Sequence, residues 1–393
     1  MLITSRRVLI ASGQYLEDGA VLIEGDSIAA VGPREEVEQQ AGAVPRFAFD
    51  GTVLPGLIDA HVHLAFDGSS DPVSTLEDST DEVLFEDMRR RAEQLLNSGV
   101  TTARDLGDRN GLALRLAAAI SDGTAPGPRI VSAGTPLTTL GGHCHFLGGE
   151  VSGESEVRDL VRRNIAAGAG VIKAMVTGGG LTKGGPASHE SQFTAHELAA
   201  LVDEAHKAGV PVAAHAHGTD GIAAAVTAGV DTIEHCTWMT DRGLDLRQDV
   251  LAEIIDRRIA VCPAVSPHWQ MLPRIFGEER AAAMFDLVRQ MADAGVHLVA
   301  GTDAGVQRAG FDGLVPALAF YAHLGLANSS IIDMATSEAA AALGLESVTG
   351  RIAPGFRADL LLVDGDPLAD LATLRNIKAV FAAGRRYQPD AAE

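Results

Sequence analysis

The chain has 393 residues and a net charge of -21, with 46% apolar residues, only 4% aromatic residues and 43 glycines. That length suits a barrel of roughly 250–300 residues plus a smaller module, and the Ala-, Val-, Leu- and Gly-rich composition suits a dense α/β core with many tight turns. An acidic surface without a Lys/Arg stripe argues against nucleic acid as a partner, and apolar runs well short of the ~20 residues that span a bilayer argue against a membrane.

At the start, Arg6 and Arg7 precede only a brief apolar stretch with no h-region or cleavage site, so a mature cytoplasmic protein is expected. Residues 1–55 read as short strands with turns: Arg7–Ala11, Gly19–Glu24, Ser27–Val31 and Arg46–Asp50. Asp359–Val363 and Ile377–Ala382 repeat that character near the C-terminus. Neither end can bury a core alone, so residues 1–55 plus 347–393 are expected to form one composite β-sandwich. Residues 56–346 alternate strands and helices. The strands are Val53–His63, Val100–Asp105, Arg129–Ala133, Gly170–Val176, Val210–His217, Asp231–His235, Ile259–Pro263 and His297–Asp303. The clearest helix runs Thr194–Ala208, opened by a Thr194/Glu197 capping box and closed by Gly209. Eight strands with intervening helices and no G-x-G-x-x-G after the first predict an α/β fold, a (β/α)8 TIM barrel rather than a doubly wound sheet. The Leu137–Ser155 loop, with Gly141-Gly142-His143-Cys144-His145, is too long and polar for a mere connector.

Chemistry-bearing residues fall at the strand ends. The two-residue strand period places Asp59, His61 and His63 on one face, with Ile58, Ala60, Val62 and Leu64 on the other. Imidazoles pointing inward are a poor core but a good chelate. Lys173 interrupts the apolar run Val171–Val176, where a buried ammonium is costly unless modified or paired. Carboxylation by CO2 would convert it to an anionic carbamate able to bridge two metals. His215 and His217 share an inward face, His235 ends the sixth strand and Asp303 ends the eighth. Singly, each has a structural reading: a satisfied barrel histidine, a strand-end polar group, a helix cap. Together, six ligand positions on five strands at the catalytic rim of a barrel point to a metal site. The N/O donor set without thiolate favours Zn²⁺, with Mn²⁺, Co²⁺ or Fe²⁺ as alternatives. Cys144, Cys236 and Cys262 have no C-x-x-C spacing and read as buried packers in a reducing compartment.

The run Val53-Leu54-Pro55-Gly56-Leu57-Ile58-Asp59-Ala60-His61-Val62-His63 resembles the first barrel strand of the amidohydrolase superfamily, and Gly350 to Leu360 resembles the segment that re-enters the composite domain. Thr101–Asp105, Ile172–Met175, Ile233–His235 and Gly301–Gly305 are similar to the Xaa-Pro dipeptidase-like, imidazolonepropionase-related branch. The resemblance covers nearly the whole chain. It implies that His61, His63 and Asp303 bind the more buried metal, that Lys173 bridges as a carbamate, and that His215 and His235 hold a second metal. It also implies that His143 contacts the substrate, and family habit points to a homo-oligomer. One departure stands out: branch members carry Tyr two residues after the fifth-strand histidine, contacting a substrate carboxylate, where this chain has His217.

The expected activity is hydrolysis of a C–N bond (amide, peptide, urea or carbamate) in a small molecule. Two cations would supply hydroxide and polarise the carbonyl, Asp303 would shuttle the proton, and His143 or His217 would orient the substrate. A rival reading is a mononuclear hydrolase or deaminase of a cyclic amidine or imidazolone, with Lys173 unmodified; another is a non-catalytic scaffold, which would have lost ligands. His196 and His206 read as surface residues, His297 lies at the wrong strand end, and His145, His189 and His268 are loop candidates. Arg104, Lys183 and Arg308 read as solvated loop charges.

Overall fold

A computed structural model describes residues 1–387. Strands from both ends of the chain form one seven-stranded sheet. Arg46–Pro55 lies at its centre and pairs parallel with Leu2–Ala11, which pairs antiparallel with Gln14–Glu24. Leu360–Val363 from the C-terminal end pairs antiparallel with Arg46–Pro55 and carries Ile377–Ala382 and Arg385–Tyr387 beyond it. The edge strand Ser27–Pro33 curls over to the segment that leads into Leu360–Val363, where Ile28 N–H donates to Phe356 O at 2.8 Å and Ala358 N–H donates to Asp26 O at 2.7 Å. Alternate residues Ile3, Val8, Val21, Val53, Leu362 and Phe381 point inside the roll and make their own apolar cluster.

The run expected as one strand from Val53 to His63 is two strands, Arg46–Pro55 of the terminal sheet and Leu57–Val62 of the barrel. Pro55 offers no N–H to extend a ladder. Gly56 packs against Thr101, whose Oγ1 would lie 2.2 Å from an added Cβ. Every residue from Gly51 to Phe66 is buried, so hydropathy gives no sign of the break.

The parallel strands Leu57–Val62, Val100–Asp105 and Arg129–Ser132 form one arc of the barrel, and Ile172–Met175, Val212–Gly218, Thr232–Met239 and Ala260–Cys262 form another. Hydrogen bonds join the arcs. Gly170 N–H donates to Ser132 O at 3.0 Å, and Leu137 and Lys173 are linked backbone to backbone at 2.8 Å. The eighth strand, residues 298–304, is irregular but closes the ring. Val299 N–H reaches Val261 O on one side, while Ala60 N–H reaches Ala300 O and Asp303 N–H reaches His61 O on the other. The fold is therefore a closed (β/α)8 barrel beside a rolled sheet of terminal strands. The capping box forms as expected on helix Ala195–Lys207, with Gly209 at φ +71° after it. Among the described residues no helix is long and apolar enough to cross a membrane.

Candidate metal centre

Asp59 fixes the register between the first and eighth strands. Its carboxylate accepts from Thr302 Oγ1 at 2.6 Å, Thr302 N at 3.1 Å and His61 N at 3.2 Å. Burial pushes its pKa up to about 6 against those donors. This clamp brings the Asp303 carboxylate within 3.3 Å of His61 Nε2 and 3.4 Å of His63 Nε2, which are 3.3 Å from each other.

The outer hydrogen bonds decide which ring nitrogens carry protons. His61 Nδ1 donates to Glu234 Oε2 at 2.8 Å, and His63 Nδ1 faces Gly107 O at 3.4 Å, so both Nε2 atoms present lone pairs inward. In the neutral rings two lone pairs and a carboxylate then converge, an arrangement that calls for a positive charge between them, a metal ion or a proton on His61. Burial opposes charge on His61, yet the Asp303 and Glu234 carboxylates still hold its pKa above the usual imidazole value. The centre selects positive charge, as a metal site does.

Glu234 is itself fully engaged. It takes Arg104 at 2.7 Å and Thr232 Oγ1 at 2.7 Å as well as His61, so it orients a ligand rather than offering one. Arg104 is 2% exposed and also donates to Ala60 O at 2.7 Å and Thr232 Oγ1 at 3.0 Å. Its reading as a solvated loop charge is therefore wrong, because the second strand turns it into the barrel, where Glu234 neutralises it. Lys183 and Arg308 are exposed, as expected for solvated charges.

The second group lies beside the first. His215 Nε2 donates to Gly178 O at 3.1 Å, leaving Nδ1 bare. The His215 and His235 ring centroids are 4.7 Å apart, and His61 and His235 are 5.1 Å apart. Lys173 is 1% exposed, its Nζ has no hydrogen-bond partner among the described residues, and burial lowers its pKa to about 8 despite Glu234 and Asp303 nearby. An unpartnered buried amine facing these groups fits the carbamate chemistry expected of it. His143 rests 4.6 Å from the His215 ring, with Nδ1 3.1 Å from Thr182 Oγ1 and its main-chain N–H on Gln192 Oε1 at 2.7 Å. Gln192 in turn donates to Met175 O and Thr177 O, tying this loop to the end of the fourth strand. Gly179 must lack a side chain, since a Cβ there would meet His143 Nε2 at 2.4 Å.

A cavity of about 280 Å³ opens over these groups, lined by His63, His143, Lys173, His215, His217, His235 and Asp303, with Met175, Leu181 and Val306 as apolar walls. His61 lies beneath it, so all eight residues singled out from the sequence gather in one place. His145, His189 and His268 do not line the cavity. A larger cleft, about 1080 Å³, lies between the terminal sheet's turns and the third strand, but among the described residues Asp26 is its one carboxylate and no histidine lines it. His235, Cys236, Trp238 and Asp303 hold left-handed φ of +68°, +50°, +53° and +58°. Such non-glycine strain, of order 1–3 kcal/mol each, gathers at functional sites.

Residues 52–387 match the amidohydrolase family, and residues 19–42 match the imidazolonepropionase-like composite domain of bacteria. The chain is 27% identical over 410 residues to an ochratoxinase of Aspergillus niger, covering 94% of this chain and 82% of the relative. It is 28% identical to an imidazolonepropionase of Paracoccus denitrificans, covering 90% of each. In structure it is similar to a Xaa-Pro dipeptidase with bound methionine in the active site, at TM-score 0.86 and 30% identity over 98% of this chain and 99% of that one. With its barrel, terminal sheet and histidine-rich rim, the chain belongs to the amidohydrolase family and is a hydrolase acting on carbon–nitrogen bonds.

Proposed function

We propose that this chain is a metal-dependent amidohydrolase that cleaves an amide, urea or carbamate bond of a small, uncharged or weakly charged molecule. Residues 56–346 would form the catalytic unit and residues 1–55 plus 347–393 its composite partner. His61, His63 and Asp303 would hold one divalent cation, and His215 and His235 a second. Lys173, having added CO2 through its nitrogen with loss of one proton, would bridge the two. The observation that carries this reading is the convergence of His61 Nε2, His63 Nε2 and the Asp303 carboxylate within 3.4 Å. When bound, the cations supply Lewis acidity that lowers the pKa of water and polarises a carbonyl.

The side chains do the rest. The Asp303 carboxylate takes a proton from the attacking water and returns it to the departing nitrogen, which leaves poorly as an anion. His143 contacts the substrate from the loop side, in a cavity whose apolar walls are Met175, Leu181 and Val306. The cavity suits a small substrate, and among the described residues Lys173 is the one Lys or Arg in its lining. With that amine committed to the bridge, the described lining offers no other side-chain cation for a substrate carboxylate, which favours neutral amides, ureas and carbamates over dipeptides. The reading is tested by assaying a panel of amide, ester and urea substrates on Zn²⁺- or Mn²⁺-loaded enzyme beside Asp303→Asn. That substitution lowers turnover by ~10²–10⁴-fold with metal retained; near wild-type kinetics would remove Asp303 from proton transfer.

A further inference from the structure

We propose that His217 is a third imidazole ligand of the cation assigned to His215 and His235, rather than a substrate contact. The inference rests on the two-cation reading above and adds a ligand to it.

His217 follows His215 by two residues on Val212–Gly218 and so shares its inward face. Its ring centroid is 4.7 Å from that of His215 and 4.5 Å from that of His235. One ligand nitrogen or ring nitrogen from each of the three lies within 4.8 Å of the other two, the same closeness that defines the His61, His63 and Asp303 group.

The hydrogen bonds around the ring accommodate a metal-binding tautomer. Thr237 Oγ1 donates to His217 O at 3.3 Å and lies 2.9 Å from His217 Nδ1. A hydroxyl has one proton; placed on the carbonyl, it makes Nδ1 the donor and leaves Nε2 with a bare lone pair, the tautomer this proposal takes. The backbone is held too, since His217 N–H donates to Thr177 Oγ1 at 3.0 Å. This is the pattern of His61 and His215, in which one ring N–H goes to an outer acceptor and the other nitrogen is presented bare. A group meant to bind a substrate carboxylate or oxyanion has to donate, and Nε2 in this tautomer only accepts. Replacing the Tyr expected at this position therefore exchanges a donor for a metal-type lone pair.

The test strips purified enzyme with a chelator and titrates Zn²⁺ back against a chromophoric competitor, for wild type, His217→Ala and Thr237→Val. Wild type takes up two equivalents per chain. His217→Ala keeps the first at wild-type affinity and weakens the second by more than ~100-fold, beyond the 10–100-fold cost of losing an outer partner. Thr237→Val, which leaves the ring but frees Nδ1, weakens the second by ~10–100-fold. Loaded with Co²⁺, His217→Ala also loses part of the visible absorption of the second equivalent. Unchanged binding of both equivalents in His217→Ala, or a wild type with one equivalent that the substitution leaves alone, overturns the assignment. If His217→Ala loses both equivalents through misfolding, Thr237→Val decides: a weakened second equivalent supports the assignment and an unchanged one overturns it. A wild type that takes up no metal sinks the parent reading instead.

Discussion

Arg104→Met removes a buried charge while keeping the side chain's length. Three donations disappear, to Ala60 O at 2.7 Å, Thr232 Oγ1 at 3.0 Å and Glu234 Oε1 at 2.7 Å, from a guanidinium 2% exposed against a carboxylate 0% exposed. Breaking a buried pair by deleting one partner costs about 3–5 kcal/mol, because the other charge stays buried without it. At about 1.4 kcal/mol per tenfold, the folded-to-unfolded ratio falls by roughly 10²–10³ or more. Urea unfolding of the metal-free protein at neutral pH reads this as a lower midpoint at unchanged slope. The pH dependence has a definite sign. Burial raises the Glu234 pKa, but Arg104 and then His61 outweigh it and hold the carboxyl well below its usual value. A depressed carboxyl contributes stability above its unfolded pKa of about 4.3 and loses it as pH falls. The variant lacks most of that contribution, so its deficit is largest near neutrality and narrows below about pH 4. Glu234→Gln in the Arg104→Met background recovers part of the loss. A deficit under ~1 kcal/mol, as for a solvated charge, or one that widens in acid, would refute the assignment of Arg104 as the buried partner of Glu234.

Other outcomes follow from the same geometry. Gly179→Ala displaces the His143 ring, since the new Cβ falls 2.4 Å from its Nε2; kcat/KM drops by ~10²-fold with metal content unchanged, and an unaffected kcat/KM would take His143 out of substrate contact. Supplying ¹³C-bicarbonate gives wild type a carbamate carbon resonance that Lys173→Met lacks, and the variant binds at least one equivalent of metal fewer; two equivalents in Lys173→Met would exclude the bridge.

Where a side chain's role follows from local periodicity, the sequence displays it. The alternation around Asp59, His61 and His63, the amine inside Val171–Val176 and the capping box at Thr194 all read directly, because strand and helix periods determine which neighbours share a face. Arg104 does not read this way. Its meaning depends on Glu234, 130 residues away and four strands on, a pairing that only barrel closure creates. A carboxylate beside His235 in an otherwise buried strand was the available signal. The break at Gly56 is silent in hydropathy, since both strands it separates are buried; Pro55-Gly56 is its one local mark, and the approach of Thr101 from a neighbouring strand is the tertiary part. The Leu137–Ser155 loop is legible as too polar for a connector, but its parallel pair Thr138–Thr139 with Glu150–Val151 is too short to show a period. The left-handed backbone at His235 and Asp303 is set by tertiary contacts that no propensity scale carries.

The most direct measurement is the metal content of the purified wild-type chain after exhaustive dialysis, by elemental analysis against protein concentration. Close to two equivalents of a divalent metal per chain is the expected result. Close to one would favour a mononuclear enzyme with Lys173 unmodified, and none would contradict a cation at the meeting point of His61, His63 and Asp303.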